Sequence, residues 1–340
     1  MESLKHFMGF VHLSRMLPST NNVPALNNYK NRVAVMDLGT NTFHLTIAEP
    51  DEGFFKVIHH EHLGVKLGEG GINEGTIQPE AFERGLAALK NFKLLIDRHE
   101  AKAIKAIATS AMRSASNGQH FISEVYDATG IQIETITGDK EATYIYEGVK
   151  ASGCLTDADS LIIDIGGGSV EFIICNANCI HYKQSFEVGA ARLMALFHHS
   201  DPISAVEISN LTGYLDDKLS PLYEAASGYQ INNIIGSSGA FETFAELIER
   251  SEDHEFDISN YITYRFTDGK LNNILNKIID STHSERESNK GIATIRVDMI
   301  VVAALLSRHL LHKLNVSNVL MTAYSLKEGV LAGLVSTDNI

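Results

Sequence analysis

Runs of apolar residues, many of them β-branched, alternate along this chain with stretches in which apolar residues recur every three or four positions. The runs predict buried strands, and the recurring pattern predicts amphipathic helices. The helical pattern is clearest over residues 78–99, where five large apolar side chains fall on one face: Phe82, Leu86, Leu89, Phe92 and Leu95. Strands and helices that alternate in this way predict an α/β fold.

Two stretches of the chain repeat one pattern of strand, tight turn and strand. The first covers residues 32–48, and the second covers residues 160–174. Five positions match at a constant offset of 127 residues: Asp37 with Asp164, Gly39 with Gly166, Thr42 with Ser169, Leu45 with Phe172, and Ile47 with Ile174. The match predicts an internal repeat, and therefore two domains of one topology.

The repeat determines the predicted domain organisation. Residues 31–145 are expected to form an N-terminal domain and residues 146–324 a C-terminal domain, with a last helix within residues 325–340 packed on the N-terminal domain. Residues 1–30, which include a stretch rich in Asn, Pro and Ser, are expected to be a mobile leader. Turns that face each other from two domains place a ligand in the cleft between them.

Glycine and hydroxyl residues crowd the turns of both repeats. Such a turn lets a ligand approach the backbone and directs successive N–H groups at an anion, so each is expected to bind a phosphate. An ordinary hairpin turn is the alternative, and the matching Asp and hydroxyl positions argue against it. A third turn opens a helix, where anion or base binding and a plain helix start are equally supported. The predicted phosphate-binding residues are Gly39, Thr40, Asn41 and Thr42 in the first turn, Gly166, Gly167, Gly168 and Ser169 in the second, and Gly236, Ser237, Ser238 and Gly239 in the third.

The composition narrows the class of partner. The chain has 340 residues and a formal net charge of -14, which disfavours binding to nucleic acid or to an anionic membrane. No run of about 18 apolar residues is present, so the sequence predicts no membrane span. Three widely spaced cysteines favour a reduced, cytoplasmic protein, in which Cys175 and Cys179 fill space around a hairpin turn. A polyanionic substrate requires basic residues to converge locally.

Carboxylates flank the second turn. Asp164 ends its first strand, and Glu171 begins its second strand. Glycine turns with flanking carboxylates suggest a phosphate held beside a divalent metal ion, while a turn-capping Asp164 and a solvated Glu171 are the alternative. Asp37 has the position of Asp164 in the first repeat. His44 stands there in place of Glu171, so the two copies differ in chemistry.

Several other residues are candidates for phosphate chemistry. Glu141 lies in the first turn of a predicted helix. Its carboxylate can act as a general base, or it can simply stabilise the helix by interacting with the positive end of the helix dipole. Arg113 can contact a phosphate through two N–H groups, or form a surface salt bridge. The arginines that are weaker candidates for binding substrate charge are Arg192, Arg265 and Arg296.

The segment His59-His60-Glu61-His62 lies on a predicted strand. Alternate residues of a strand share a face, so the side chains of His60 and His62 can converge. The segment lacks the helical His-Glu-x-x-His spacing of a zinc site, and we interpret it as a surface strand.

Five motifs occur in a fixed order over residues 31–335. They are Asp-Leu-Gly-Thr-Asn-Thr-Phe-His at 37–44, the segments 108–117 and 137–149, Asp-Ile-Gly-Gly-Gly-Ser-Val-Glu at 164–171, and the segment 189–193. Together they resemble the exopolyphosphatase / guanosine pentaphosphate phosphohydrolase (Ppx/GppA) family in its short, two-domain form. The chain departs from the family pattern at Lys140, where a second acidic residue is usual, and at Lys327, where Arg is usual.

The resemblance carries several expectations. It implies the actin-like ATPase superfamily fold, with two ribonuclease H-like domains and an active site in the cleft between them. It also implies that Glu141 is the general base and that Asp164 and Glu171, with help from Asp37, bind Mg²⁺ (or Mn²⁺).

The leading functional hypothesis is a Mg²⁺-dependent phosphohydrolase that releases terminal orthophosphate from inorganic polyphosphate or guanosine pentaphosphate. Two alternatives stay open: an acceptor-dependent kinase of the same fold, and a catalytically silent regulator that binds guanosine tetraphosphate or polyphosphate. The sequence does not choose between the two substrates, and it leaves homodimer formation open.

Overall fold

The computed structural model describes residues 32–51, 54–237, 239–252, 256–267 and 269–336. The expected leader at residues 1–30 and one residue of the third turn, Ser238, lie outside these ranges. Within them, no helix is both long enough and apolar enough to cross a membrane.

Five strands form the first sheet: β1 (Val33–Leu38), β2 (Phe43–Asp51), β3 (Phe54–Leu63), β4 (Ala103–Ala108) and β5 (Ile133–Thr135). Their order across the sheet is β3-β2-β1-β4-β5. Strands β1, β2 and β3 form an antiparallel meander, whereas β4 and β5 continue the sheet parallel to β1. The parallel half needs crossover connections, and helices of the intervening chain supply them.

Six strands form the second sheet: β6 (Ser160–Ile165), β7 (Val170–Cys175), β8 (Ile180–Phe186), β9 (Asn233–Ser237), β10 (Thr263–Arg265) and β11 (Val319–Thr322). Their order is β8-β7-β6-β9-β11-β10. Strands β6, β7 and β8 are an antiparallel meander, β9 and β11 run parallel to β6, and β10 is an antiparallel edge strand.

The two sheets share one topology once β10 is set aside. In each, a three-stranded meander leads into two further parallel strands. The register matches as well, because Asp37 pairs with His44 in the first sheet and Asp164 pairs with Glu171 in the second. The predicted α/β class and its internal repeat are therefore confirmed.

Twelve α-helices surround the sheets in the described part of the chain: α1 (Pro79–Arg98), α2 (Ser110–Ser114), α3 (Gly118–Thr129), α4 (Gly138–Ala151), α5 (Ala190–Phe197), α6 (Ala205–Lys218), α7 (Ser220–Ala226), α8 (Gly239–Arg250), α9 (Lys270–Asp280), α10 (His283–Ser288), α11 (Ile300–Leu314) and α12 (Leu326–Ser336). Short 3₁₀ turns occupy Ile258–Asn260 and Thr294–Arg296.

Local signals explain several of the helix boundaries. Thr137 caps α4 by accepting a hydrogen bond from the Lys140 N–H at 3.2 Å, and Ser204 begins α6 with a capping box. Pro221 lies in the first turn of α7. The sequence predicts a helix over residues 203–226 that this proline breaks or ends, and the structure has two helices there, α6 and α7.

Three short elements were absent from the sequence prediction. They are the five-residue helix α2, the three-residue strand β10 and the six-residue helix α10. None is long enough to show a hydrophobic period, so tertiary contacts determine them. Helix α11 begins at Ile300, shortly after the 3₁₀ turn at residues 294–296.

The last helix, α12, packs on α4 and on strands β1 and β3 of the first sheet. Two glycines permit the close helix crossing: a Cβ atom added at Gly148 would collide with the carbonyl oxygen of Ser325, and one added at Gly329 would collide with the carbonyl oxygen of Tyr144. The crossing places Glu141 of α4 and Lys327 of α12 beside one cavity. The domain boundary expected at residue 145 falls within α4 and stays a prediction.

Candidate active site

The two predicted phosphate turns face each other across a cavity of about 500 Å³. They approach closely: a Cβ atom added at Gly168 would lie 2.6 Å from Oγ1 of Thr40 and 2.5 Å from Oγ of Ser110. Only a residue without a side chain fits there, which explains a glycine at this position. The residues of both turns, 39–42 and 166–169, line the cavity together.

Neighbouring segments donate hydrogen bonds to carbonyl groups of both turns. The first two N–H groups of α5 donate to the carbonyls of Gly166 and Gly167, each at 2.8 Å. In the first turn, the N–H groups of Lys66 and Gly68 donate to the carbonyls of Asn41 and Thr40 at 2.8 and 3.0 Å. Because each peptide unit is planar and trans, the N–H groups that follow these carbonyls point the opposite way, as an anion site requires.

Five carboxylates line the same cavity: Asp37, Glu141, Asp164, Glu171 and Glu242. Glu171 is buried, with hydroxyl groups of Ser169 and Ser185 donating to its Oε1 at 2.8 and 2.6 Å. The solvated Glu171 of the alternative interpretation is therefore wrong.

Burial raises the pKa of three of these carboxyl groups above their ordinary values. The pKa of Asp37 rises to about 6, although the Lys327 ammonium opposes the shift. Burial also raises the pKa of Glu141, against the nearby Arg113 guanidinium. The pKa of Glu171 lies well above its ordinary value because of burial and then of the Glu141 charge. When several carboxylates are enclosed in one cavity, nearby positive charge is needed to stabilise their ionised forms.

The donor set fits a hard divalent cation. Three of the carboxylates on the cavity lie near strand ends: Asp37 on β1, Asp164 on β6 and Glu171 on β7, and the last two are paired across their strands. In the described ranges no three His, Cys, Asp or Glu side chains are already arranged as a complete metal site. Mg²⁺ does not require one, since it is usually held by one or two carboxylates together with water and substrate phosphates.

Arg113 lies behind Glu141 rather than on the cavity wall. Its Nη1 donates to Oε2 of Glu141 at 2.8 Å and to the carbonyl oxygen of Ile136 at 3.1 Å. The guanidinium lines a separate depression of about 320 Å³, with Lys183 and Ser185. In this arrangement Arg113 orients Glu141, and the direct phosphate contact expected from the sequence stays a prediction.

The third turn contributes little to the cavity. Gly239 lines it, whereas Gly236 packs against the ring of Phe241. Ser237 is buried and donates its hydroxyl to Oδ2 of Asp164 at 3.1 Å, so this hydroxyl orients a carboxylate. Ser238 lies outside the described residues.

The three weaker arginine candidates have different surroundings. Arg296 lines the cavity and donates to Glu242 at 3.1 Å. Arg192 donates to the carbonyls of Gly168 and Ile72 at 2.8 and 2.6 Å, and so links the second turn to the loop after β3. Arg265 is exposed on edge strand β10, where it bonds Asn318.

Other cavity residues were missed as site residues. Thr109 and Ser110 lie in the motif at 108–117, which was the available signal. His44, His60, His62 and Lys327 also line the cavity, and the alternation of His60 and His62 on their strand was noted in the sequence. Ser185, which lies outside this cavity and donates to Glu171, gave no signal, because a single serine on a strand carries none.

Comparison with known sequences gives a family match. Residues 46–338 match the Ppx/GppA phosphatase family. Exopolyphosphatase 2 of Mycobacterium tuberculosis is 26% identical over 316 residues, covering 89% of this chain and 98% of its own length. A bifunctional 3-dehydroquinate synthase/phosphatase of Fusobacterium nucleatum is 31% identical over 300 residues, 85% of this chain. This chain spans 45% of the length of that relative.

Comparison with solved structures gives the same fold. The crystal structure of an exopolyphosphatase from Cytophaga hutchinsonii is 38% identical and superposes with a TM-score of 0.87. The match covers 90% of this chain and 98% of that chain.

Proposed function

This chain belongs to the Ppx/GppA phosphatase family, and from that premise we propose that it is a phosphoric-anhydride hydrolase that releases terminal orthophosphate from inorganic polyphosphate or guanosine pentaphosphate. Two of its similar proteins are named exopolyphosphatases, and both are covered over nearly their whole length. The observation that carries the proposal is the pair of facing phosphate turns with Glu141, Asp37, Asp164 and Glu171 on one cavity.

The turns explain substrate binding in the proposed reaction. Backbone N–H groups of residues 41–42 and 167–169 bind phosphate oxygens without adding charge of their own. Two adjacent phosphates of one chain then lie between the two halves of the molecule, and the anhydride bond between them is fixed in place. Positioning of this kind supplies much of the catalysis in phosphoryl transfer.

Glu141 is proposed as the general base. It takes a proton from a water molecule whose oxygen bonds to the terminal phosphorus, while the bond from that phosphorus to the bridging oxygen breaks. The raised pKa of its carboxyl group suits this role, since a base works best when its pKa is near the working pH. Arg113 is a positioning residue that holds Oε2, which leaves Oε1 to receive the proton.

Asp37, Asp164 and Glu171 are proposed to hold Mg²⁺ or Mn²⁺. When bound, the ion neutralises charge on the phosphate oxygens. Ser169, Ser185 and Ser237 orient the carboxylates for this purpose, through the hydrogen bonds to Glu171 and Asp164.

The test is phosphate release by wild type, Glu141→Gln and Glu147→Gln, each with long polyphosphate, short polyphosphate and guanosine pentaphosphate. Glu147 lies on the same helix but outside the cavity, so it is the matched control. We expect Glu141→Gln to lower kcat by about 10²–10⁴-fold, the usual contribution of a general base. The control keeps wild-type rates.

Three results would contradict the proposal. Equal rates for wild type and Glu141→Gln would remove the assigned base. Phosphate transfer that needs an added acceptor molecule would identify a kinase. Tight binding of the substrates without turnover in Mg²⁺ would identify a regulator.

A further inference from the structure

Three histidines form one face of the cavity. His44 on β2 pairs with His62 on β3, and Thr46 pairs with His60, so the three imidazoles share a side of the sheet. The ring centroids are 5.9 Å apart for His44 and His60, and 6.1 Å apart for His44 and His62 and for His60 and His62. All three line the cavity that contains the phosphate turns.

The protein leaves part of the hydrogen-bonding capacity of this face unused. Nδ1 of His44 is enclosed and has no hydrogen-bond partner in the described ranges. The Thr46 hydroxyl lies 3.2 Å from Nδ1 of His60, which fixes that ring and leaves Nε2 as the nitrogen available to a ligand. His60 and His62 are exposed, so a ligand in the cavity can reach them. Enclosed polar groups without partners are rare in folded proteins and call for an explanation.

Lys327 adds positive charge beside this face. Its side chain is 15% exposed and pairs with Glu328 at 3.2 Å. Partial enclosure of its ring lowers the pKa of His60 to about 4, and the Lys327 ammonium is the next cause of the shift. The enclosure of His44 and the same ammonium lower the pKa of His44 as well. Arg296 lines the cavity as well, bound to Glu242. We call His44, His60, His62 and Lys327 the histidine wall.

The chemistry of the histidine wall matches phosphate better than metal or nucleobase. A neutral imidazole donates an N–H hydrogen bond, and phosphate oxygens are strong acceptors. Ring centroids about 6 Å apart leave no room for a base to stack between the rings, since each stacked contact alone needs about 4.5 Å. The described histidines do not form part of a preformed metal cluster.

Resting on the proposed function, we propose that the histidine wall binds the phosphates of polyphosphate that follow the one being released. The phosphate turns hold the cleaved end of the chain, and the remaining phosphates continue along the same cavity past His44 to the exposed His60 and His62. This surface supplies the local positive and donor groups that a protein of net charge -14 needs to bind a polyanion.

The test compares a His60→Gln/His62→Gln double variant with His59→Gln. His59 lies on the same strand but points to the opposite face, where its ring stacks on His99, so it is the matched control. We expect the double variant to raise the KM for long-chain polyphosphate about tenfold, the effect of losing hydrogen bonds to a charged ligand. The KM for tripolyphosphate and the kcat for both substrates are expected to change less than about twofold, because the turns and Glu141 are intact.

A binding measurement makes the inference independent of turnover. Calorimetric titration of long-chain polyphosphate into Glu141→Gln, with and without the two histidine substitutions, should show about tenfold weaker binding when the histidines are absent. Unchanged affinity would overturn the proposed role of the histidine wall. This outcome is separate from the test of the proposed function, which the loss of hydrolysis in Glu141→Gln would still support. A KM increase confined to guanosine pentaphosphate would also overturn it, because the nucleoside would then lie on this face.

Discussion

At the scale of single residues, the chemistry depends on small polar side chains that hold carboxylates in place. Glu171 accepts hydrogen bonds from Ser169 and Ser185, Asp164 accepts one from Ser237, and Glu141 is held by Arg113. Apart from the bond between Ser169 and Glu171, which are two residues apart, each of these bonds joins residues from different strands or helices. A carboxylate that is buried without such donors would lose the free energy of its solvation, and its orientation would not be fixed.

One residue-scale prediction concerns Ser185, which donates to Glu171 at 2.6 Å. Ser185→Ala should raise the Mg²⁺ concentration for half-maximal phosphate release about 10–100-fold, the usual effect of losing a bond to a metal ligand. Gln184→Ala is the control, because neighbouring residues of a strand point to opposite faces. A metal dependence equal to that of wild type would show that Ser185 has no part in metal binding.

At the scale of elements, the repeated hairpin and the crossing of α4 and α12 position the site. The hairpins place Asp37 and Asp164 at equivalent strand ends, and each leads into a phosphate turn. Helix α4 presents Glu141 to the cavity, and α12 presents Lys327, whose charge acts on Asp37. The close approach of the two helices depends on Gly148 and Gly329. At each glycine, backbone atoms from the other side of the crossing occupy the space that a side chain would need.

The crossing gives a prediction with opposite signs for two glycines of α12. Gly329→Ala should lower the free energy of unfolding by about 1–3 kcal/mol, because the new methyl group would collide with the carbonyl of Tyr144. At Gly333 nothing lies within 4 Å of an added Cβ, so Gly333→Ala should stabilise the helix by about 0.5–1 kcal/mol. Denaturant titration of both variants checks this. Stabilisation by Gly329→Ala would contradict the packing described.

At the scale of the whole molecule, activity depends on how closely the two sheets bring their turns together. Contacts across the cavity fix this distance: Nδ2 of Asn41 donates to the carbonyl of Ile295 at 3.2 Å, and Lys66 pairs with Asp298 at 3.2 Å. Arg192 adds a link between Gly168 and Ile72. Polar contacts of this kind position one half against the other, while the apolar cores of the two sheets provide most of the stability.

A whole-molecule prediction follows from the contact between the turns. Gly168→Ala places a methyl group against Thr40 and Ser110, so the turns must separate by a few tenths of an ångström or more. We expect kcat to fall by as much as about 100-fold, since displacement of about 1 Å has that effect on a positioned reaction. Gly213→Ala, where an added Cβ meets nothing within 4 Å, should keep wild-type kcat. Phosphate release and thermal unfolding of both variants separate lost positioning from lost stability.

The sequence determined the fold class, the internal repeat and most of the candidate residues. Strand and helix periods are local properties, and the 127-residue offset between Asp37 and Asp164 is visible without any structure. The same reasoning could not supply β10, α2 or α10, because such short elements depend on contacts with distant parts of the chain.

The tertiary structure alone decided which groups meet. Arg113 is bound to Glu141, Ser237 is bound to Asp164, and Ser185 reaches Glu171 from a neighbouring strand. The histidine wall depends on two tertiary features: the register of β2 with β3, and the packing of α12 on the first sheet. Residue types and their spacing show which reactive and binding groups a chain contains. Packing between distant segments sets the burial of these groups and the distances between them, and so determines which of them come together at one site.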